Sequence, residues 1–266
     1  MKIHPSAVVS DGAVIAEDVE IGPFSLIGPD VAIGAGTVVQ SHVVLEGAVR
    51  LGEKNIIGHG SIIGGPPQDL GFKPETKSSV TLGDGNVIRE HCTIHRGTTE
   101  GSSTTIGDRN FLMAGVHMGH NCRIANDVII ANNCLLAGYV EIADRAFIGG
   151  GTTFHQNMKV GRLVMAQGSS AFGKDIPPFL LAAERNFVFG MNVLGMRRAG
   201  FTGAERDEIK RAFKLLYRSG LNTRQALEQA AATDFGPLGR EFFEFVANAK
   251  KRGILPYRYA GEDGEA

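Results

Sequence analysis

The sequence predicts a mainly β protein: a left-handed parallel β-helix of hexapeptide repeats, followed by a small α-helical C-terminal domain. Two observations predict this fold. An apolar residue recurs at every sixth position over most of residues 1–166, and a glycine often follows it directly, as in Ile21-Gly22 and Ile27-Gly28. A period of six fits neither an α-helix nor a plain alternating strand. It is typical of a chain wound into a triangular prism, with three short strands per coil and the apolar residues inside.

The repeats form two runs. The first run contains eleven apolar residues, Ile3, Val9, Ile15, Ile21, Ile27, Ile33, Val39, Leu45, Leu51, Ile57 and Ile63. With 43% of the chain apolar, such a run has a chance probability of about 10⁻⁴. After Leu82, Ile88 and Ile94 the second run consists of Ile106, Leu112, Met118, Ile124, Ile130, Leu136, Ile142, Ile148, Phe154, Val160 and Ala166. These 25 positions predict about eight coils, and stacked coils lie about 4.8 Å apart. We expect glycines and small polar residues to occupy the corners, where φ is often positive.

Two insertions interrupt the period, and a change of pattern ends it. Pro66-Pro67 cannot belong to an interior ladder, so residues 64–81 are predicted to form a loop, as is the Gly/Ser/Thr stretch at 98–105. We assign residues 1–185 to the β-helix and 186–266 to the helical domain. There, Thr202 and Glu205 form a predicted capping box that starts a helix reaching Tyr217. Two further helices are expected near 223–232 and 238–251, and the acidic 261–266 tail is expected to be disordered.

Composition excludes several classes of protein. A formal charge of −1, from 27 basic and 28 acidic residues, provides no global field for nucleic acid or an anionic membrane. No apolar run approaches the length of a membrane span, and the N-terminus does not resemble a signal peptide. Three cysteines without paired spacing are predicted to be buried, reduced thiols. We therefore expect a soluble, cytoplasmic protein without membrane insertion.

Flat, partly apolar prism faces predict a homotrimer with clefts between subunits.

The candidate chemistry lies in the second run. Residues 18 apart become neighbours on successive coils, so His120, Gly138 and Gln156 form one row, with His155 beside Gln156. A histidine can take a proton at neutral pH, and a glycine N–H can stabilise an oxyanion. Together they suit acyl transfer. Lone histidines at other corners are interpreted as solvated turn residues. A zinc site using His117 and Cys122 is the alternative, but no Cys/His framework supports it, so we expect no metal.

The motifs also resemble a known family. They are Gln68-Asp69-Leu70, Arg89-Glu90, Thr93-Ile94-His95-Arg96-Gly97-Thr98, His117-x-x-His120-x-Cys122, Ala131-Asn132-Asn133, Leu136-Ala137-Gly138, Ile148-Gly149-Gly150, His155-Gln156, Asp175-x-Pro177-Pro178, Phe189-Gly190-x-Asn192, Arg197-Arg198 and Tyr217-Arg218-Ser219-Gly220. With the hexapeptide repeats and helical C-terminus, this set resembles the acyl-carrier-protein-dependent UDP-N-acetylglucosamine O-acyltransferases, which begin lipid A synthesis. The resemblance covers nearly the whole chain.

The resemblance implies a role for each matching residue. His120 would deprotonate the sugar 3-hydroxyl, and Gly138 would supply the oxyanion N–H. Gly168 would set acyl length, and a glycine there implies a long 3-hydroxyacyl donor. The donor would be carried on the phosphopantetheine of acyl carrier protein, with no other cofactor. The residues expected to bind the sugar nucleotide or line the cleft are Gln68, Asp69, His117, Tyr139, His155, Gln156, Asn192 and Arg198.

Four residues depart from the family pattern. Asn121 stands where the family has an aspartate after the catalytic histidine, and Tyr139 stands where the family has a histidine. Leu194 replaces a family glutamate, and Gly71 replaces a family lysine. These changes leave two acceptors open: the ordinary 3-hydroxyl, or a 3-amino group that needs weaker base assistance. A coenzyme A-dependent sugar-nucleotide N-acyltransferase, a zinc β-helix hydratase and a non-catalytic protein are the other hypotheses.

A basic cluster on the first predicted long helix favours an acidic carrier protein as donor; it comprises Lys210, Arg211, Lys214 and Arg218.

Overall fold

The structure of the chain, a computed structural model, describes residues 1–249 and 251–258. It confirms the predicted fold, a parallel β-helix of hexapeptide repeats with a small helical C-terminal part. The tail at 261–266, which was expected to be disordered, lies outside the described residues. Within the described ranges, no helix has the length and apolarity that a membrane span requires.

Short strands follow one another along the repeats. They are β1 (Lys2–Ile3), β2 (Val8–Val9), β3 (Val14–Ile15), β4 (Glu20–Ile21), β5 (Leu26–Ile27), β6 (Val31–Ile33), β7 (Val38–Val39), β8 (Val44–Leu45), β9 (Ala48–Leu51), β10 (Ile56–Ile57), β11 (Ile62–Gly65), β12 (Ser79–Leu82), β13 (Val87–Ile88), β14 (Thr93–His95), β15 (Ser103–Ile106), β16 (Phe111–Leu112), β17 (His117–Met118), β18 (Arg123–Ile124), β19 (Ile129–Ile130), β20 (Leu135–Leu136), β21 (Glu141–Ile142), β22 (Phe147–Ile148), β23 (Thr153–Phe154), β24 (Lys159–Val160), β25 (Met165–Ala166) and β26 (Ala171–Phe172).

Every third strand pairs in parallel, so the chain forms three sheets. Sheet A contains β1, β4 and each third strand to β25, sheet B runs from β2 to β26, and sheet C runs from β3 to β24. We name the prism edges A–B, B–C and C–A by the sheets that meet there. Strands β1 to β24 make eight complete coils, in agreement with the predicted number of about eight, and β25 and β26 begin another. The sequence count stopped at Ala166, whereas the period continues through Phe172.

Glycines and small polar residues occupy many of the corners, as expected, but larger residues occupy others. The third residue after most of the buried apolar residues of the repeats has positive φ, and many of these are not glycine, including Asn121 (φ 60°) and Tyr139 (φ 60°). The glycine directly after the buried residue has another role. A Cβ on Gly58 would lie 2.5 Å from the carbonyl carbon of Arg89 on the next coil. Glycine is required there because adjacent backbones approach so closely.

Buried polar side chains complete the coil-to-coil bonding inside the C–A edge. Asn86 donates from its N–H and side-chain amide to Asn55 Oδ1 at 2.9 and 3.0 Å. Its own Oδ1 accepts from the N–H and the side-chain amide of Asn110 at 2.9 and 3.0 Å. All three asparagines are buried, so this amide ladder supplies partners for backbone groups that water cannot reach.

Both insertions leave the prism at the same edge. The first covers residues 66–78, between β11 of sheet B and β12 of sheet C, and the second covers 96–102, between β14 and β15. Both are shorter than predicted, since the flanking residues of 64–81 and 98–105 already pair in the ladders. The B–C edge therefore carries two loops that the other two edges lack within the described chain.

Sheet A continues beyond the repeats before the helices begin. Strand β27 (Leu180–Ala183) pairs in parallel with β25, and β28 (Phe187–Met191) pairs antiparallel with β27. The assigned boundary at residue 185 thus falls between two paired strands. The helices are α1 (Val193–Arg198), α2 (Gly203–Tyr217), α3 (Thr223–Ala231) and α4 (Pro237–Ala247).

The helices pack against the upper end of sheet C. The predicted capping box of Thr202 and Glu205 starts α2, whereas α1 was not predicted, because only six residues form it. Arg162, at the C–A edge, donates two hydrogen bonds to Glu241 of α4, at 2.9 and 2.6 Å. Its guanidinium also lies over the rings of Phe179 and Phe201. This contact joins the last coils to the helical part.

Replacing the middle asparagine of the amide ladder tests its contribution to stability. We expect Asn86→Ala to lower the free energy of unfolding by about 2–4 kcal/mol, because the buried Asn110 N–H loses its acceptor. Urea unfolding followed by circular dichroism measures the change. The control is Asn248→Ala, an exposed residue with one hydrogen bond to Glu244 O; equal losses in the two variants would contradict the role of the ladder.

Candidate active site

Three predicted residues lie in one row on the B–C edge. His120, Gly138 and Gln156 each follow a buried sheet B residue by two positions, on three successive coils. Corner hydrogen bonds fix the row. The Tyr139 N–H donates to His120 O at 2.9 Å, and the Asn157 N–H donates to Gly138 O at 3.0 Å. The 18-residue spacing therefore places these residues as the sequence predicted.

The His120 imidazole lies directly over Gly138. A Cβ at position 138 would lie 2.3 Å from His120 Cε1 and 2.5 Å from Nε2, so a side chain there would displace the ring. Among the described residues, the Gly138 N–H donates no hydrogen bond. An imidazole and a free backbone donor thus lie side by side, an arrangement that suits acyl transfer.

A chain of neutral hydrogen bonds holds the other side of the imidazole. His120 Nδ1 lies 3.0 Å from Asn121 Oδ1. The same oxygen accepts from the N–H and the hydroxyl of Thr98, at 3.1 and 3.0 Å. The Thr98 hydroxyl also lies 3.1 Å from the Tyr139 hydroxyl, and the Tyr139 ring packs edge-on against the imidazole. Asn121 and Tyr139, two departures from the family pattern, therefore act in one network.

Two further histidines lie below this row on sheet B. His117 Nδ1 lies 2.7 Å from Thr93 Oγ1, and its ring packs edge-on against His95. Burial lowers the pKa of His95 to about 4, and the nearby His117 and His120 add to the shift. Burial also lowers the pKa of His117. At neutral pH both rings are therefore uncharged, and His95 Nδ1 is buried without a hydrogen-bond partner among the described residues.

The sequence did not select His95 or Thr98 as site residues. The insertion at 96–102 adds six residues to that coil, so Thr93 pairs with His117 at a separation of 24 rather than 18. Allowing for those six residues would have placed Thr93 and His95 beside His117. Nothing in the spacing indicates Thr98, because its position depends on how the inserted loop folds.

The first insertion presents the predicted sugar-nucleotide residues to solvent. Gln68 and Asp69 are exposed, and Asp69 Oδ1 accepts a hydrogen bond from the Gly71 N–H at 2.8 Å. The next residue, Leu70, is fully exposed. This loop leaves the B–C edge two strands below the His120 row, and no contact with His120 is found within the described chain.

Other predicted residues lie on different edges. Gly168 lies on the A–B edge, two residues beyond β25 of sheet A. Asn192 caps α1 at the C–A edge, where its amide accepts from the Gly195 N–H and donates to Leu163 O. Arg198, at the end of α1, is exposed. The cleft roles of Asn192 and Arg198 stay predictions, and a single chain does not unite the three edges.

The described residues do not form a metal-binding cluster. No group of three or more His, Cys, Asp or Glu residues in those ranges could hold a metal ion. The three cysteines are free and buried, as predicted. Burial raises the pKa of the Cys92 thiol to about 11 and that of Cys122 to about 12. These thiols are protonated at neutral pH.

Comparison with known proteins identifies the family. The family described as UDP N-acetylglucosamine O-acyltransferase, domain 2, matches residues 175–255, and the bacterial transferase hexapeptide (six repeats) matches 12–47 and 103–138. The acyl-[acyl-carrier-protein]–UDP-N-acetylglucosamine O-acyltransferase of Burkholderia orbicola is 44% identical over 262 residues, covering 96% of this chain and 99% of that protein. The protein of that name in Paraburkholderia phymatum is 42% identical over 261 residues, with the same coverage of 96% and 99%.

Solved structures agree with this assignment. LpxA from Acinetobacter baumannii superimposes with a TM-score of 0.91 at 38% identity, covering 95% of this chain and 99% of that one. The UDP-N-acetylglucosamine acyltransferase of Francisella novicida has a TM-score of 0.91 at 37% identity, with coverage of 96% and 94%. The fold, the His120 row and these similarities lead to one conclusion: the chain belongs to the acyl-[acyl-carrier-protein]–UDP-N-acetylglucosamine O-acyltransferase family of hexapeptide-repeat acyltransferases.

Proposed function

We propose that this enzyme transfers a long 3-hydroxyacyl chain from acyl carrier protein to the 3-hydroxyl of UDP-N-acetylglucosamine, the first step of lipid A biosynthesis. The observation that carries the proposal is the His120 imidazole, which lies over the free Gly138 N–H and is held at Nδ1 by Asn121. Relatives that bear the name of this reaction match 96% of the chain.

The site supports a direct transfer. His120 Nε2 takes the proton of the sugar 3-hydroxyl as the oxygen attacks the thioester carbonyl carbon. The carbonyl oxygen becomes an oxyanion, which the Gly138 N–H stabilises. The C–S bond then breaks, and the leaving phosphopantetheine thiolate takes the proton from the imidazolium. The neutral imidazole is restored, so neither a metal nor a resident cofactor enters the steps.

The outer faces of the prism support a homotrimer. The outward residues of sheet A are apolar over seven successive coils: Val38, Ile56, Val87, Phe111, Ile129, Phe147 and Met165. Those of sheet B include Val8, Leu26, Val44, Ile62 and Leu135. Those of sheet C are mainly polar: Arg50, Thr81, Thr105, Arg123, Glu141 and Lys159. Sheets A and B are therefore the faces that association would bury.

Such a trimer would also unite the separated parts of the site. If the A–B edge faces the threefold axis, sheet A of one subunit faces sheet B of the next. The C–A edge of one subunit then borders the same cleft as the B–C edge of its neighbour. His120 and the Asp69 loop would come from one subunit, and Arg198 from the other, where its guanidinium suits a phosphate. Phe24, 59% exposed on the A–B edge, agrees with burial near the axis.

The donor side of the proposal depends on Gly168 and α2. Gly168 has no side chain to block the A–B edge, so a long chain has room there. Lys210, Arg211 and Lys214 are exposed on α2, and Arg218 follows them. This basic surface suits an acidic carrier protein that delivers the chain on its phosphopantetheine. Three free thiols agree with the predicted cytoplasmic location, which stays a prediction.

A 3-amino sugar nucleotide is the second candidate acceptor. The observation that favours it is the neutral Asn121 amide at His120 Nδ1, where no carboxylate supports the imidazolium. An amine is a better nucleophile than a hydroxyl and needs less help from a base.

An acyl-transfer assay tests the function and the base together. With 3-hydroxyacyl carrier protein as donor, UDP-N-acetylglucosamine and its 3-amino analogue are compared by product formation. We expect product from the wild type and a loss of turnover by about 10² or more in His120→Ala. His4→Ala, an exposed histidine near the N-terminus, is the control. Absence of product with both acceptors would defeat the proposal, and a normal rate in His120→Ala would reject the base.

Acyl length is tested at Gly168. We expect Gly168→Met to shift the donor preference from long to short 3-hydroxyacyl chains, because its side chain would fill the groove. Relative kcat/KM values for donors of different length measure this shift. Gly168→Ala is the matched control, since its Cβ lies equally close to Gly150 O, at 2.9 Å, without the length. An unchanged long-chain preference in Gly168→Met would contradict the assignment.

Sedimentation equilibrium tests the trimer. At micromolar concentration we expect three times the chain mass of 28.3 kDa. Phe147→Lys places a charge on the apolar face of sheet A and should yield monomers and loss of activity. Val14→Lys makes a similar change on sheet C, where Val14 is 68% exposed, and should leave the trimer intact. A monomeric wild type would refute the assembly.

A further inference from the structure

The second insertion places one threonine beside the base. Residues 96–102 leave the B–C edge one coil below His120 and are held by a tight turn, in which Ser102 Oγ donates to Thr99 O at 2.7 Å and accepts from the Thr99 N–H at 3.1 Å. The turn presents the N–H and the hydroxyl of Thr98 to Asn121. Thr98 does not contact His120 through any hydrogen bond in the described chain, so its influence passes through Asn121.

The donors of Thr98 determine which atom of the Asn121 amide faces them. A backbone N–H can only donate, so the amide atom 3.1 Å from the Thr98 nitrogen has to be the oxygen. The Thr98 hydroxyl donates to the same oxygen, at 3.0 Å. Since that hydroxyl has one proton, the Tyr139 hydroxyl supplies the proton of the 3.1 Å contact between them.

The orientation of the amide determines the tautomer of the base. Asn121 Oδ1 also lies 3.0 Å from His120 Nδ1. If Nδ1 were unprotonated, its lone pair and those of the amide oxygen would repel each other. The neutral imidazole therefore carries its proton on Nδ1, from which it donates to the oxygen. The lone pair is then on Nε2, the only ring nitrogen left for the substrate. If the Asn121 amide were reversed, its NH₂ group would face Nδ1 and the imidazole proton would lie on Nε2. A protonated Nε2 could not act as a base.

We propose that Thr98 is a positioning residue for the acyl transfer: its N–H and hydroxyl, supported by Tyr139, fix the Asn121 amide and thereby keep His120 Nε2 unprotonated. This inference rests on the proposed function for its kinetic part. The tautomer itself is a property of the free enzyme and is measured without substrate.

Kinetics of three variants test the pathway through Asn121. We expect Thr98→Val to lower kcat by about 3- to 10-fold, the value of one hydrogen bond, with KM within about twofold of the wild type. Thr98→Ser restores the hydroxyl and should recover most of the lost kcat. Thr99→Val, an exposed neighbour whose hydroxyl has no hydrogen bond in the described chain, is the control.

A double-mutant cycle separates positioning from a general effect on the loop. If Thr98 acts through the amide, Thr98→Val should cost nothing more in an Asn121→Ala background. An equal loss of kcat in both backgrounds would overturn the proposal, as would a failure of Thr98→Ser to recover activity.

The tautomer is read by ¹⁵N NMR of the histidine-labelled full chain, with the His120 signals assigned by their absence in His120→Ala. We expect the Nδ1–H form in the wild type and a mixture of forms in Asn121→Ala. A wild type with the proton on Nε2 would refute the inference. If instead the wild type shows the Nδ1–H form but transfers no acyl group to either acceptor, the proposed function fails while the hydrogen-bond network stands.

Discussion

The hydrogen-bond ladder between successive coils is the constraint on which the rest of this structure depends. Each residue that follows a buried apolar side chain donates its N–H to the coil above, as Gly22 does to Val39 O at 2.8 Å and Gly58 to Ile88 O at 2.7 Å. Where such a position is a glycine, as at Gly22 and Gly58, a Cβ would lie less than 3 Å from the backbone of the next coil, and this close approach, rather than positive φ, accounts for these glycines. Because the ladder fixes the height of every coil, residues in one corner position form straight rows along an edge.

This geometry separates the tasks of the three sheets and edges. Sheet C has a mainly polar outer surface and bears the helical part through Arg162 and Glu241. Sheets A and B have apolar outer surfaces, which are costly to leave in water over so many coils. Both insertions leave from the B–C edge, beside the His120 row, where a loop can reach the site without disturbing the ladders of sheet A.

The proposed base, His120, lies in a neutral environment. His95 and His117 are uncharged at neutral pH, and the group at His120 Nδ1 is an amide rather than a carboxylate. An amide retains the geometric role of a carboxylate, provided that its oxygen faces the ring, and loses the stabilisation that a negative charge gives the imidazolium. The Thr98 hydroxyl, which itself contacts the Tyr139 hydroxyl, holds that oxygen in place but supplies no charge in its stead. The departures at Asn121 and Tyr139 therefore belong to one hydrogen-bond network.

The sequence by itself determined the fold, the row of His120, Gly138 and Gln156, and the capping box at Thr202. Each of these follows from a local rule, since every repeat buries its own apolar residue and a uniform coil converts spacing into position. Only the tertiary structure decided the places of His95 and Thr98, because an insertion breaks the arithmetic and the path of a loop depends on its own hydrogen bonds. It also decided that Asn192 caps a helix and that Arg198 lies on another edge than His120. These positions are relations between distant parts of the chain. The packing of the coils and the helices determines them, and a repeat pattern carries no information about them.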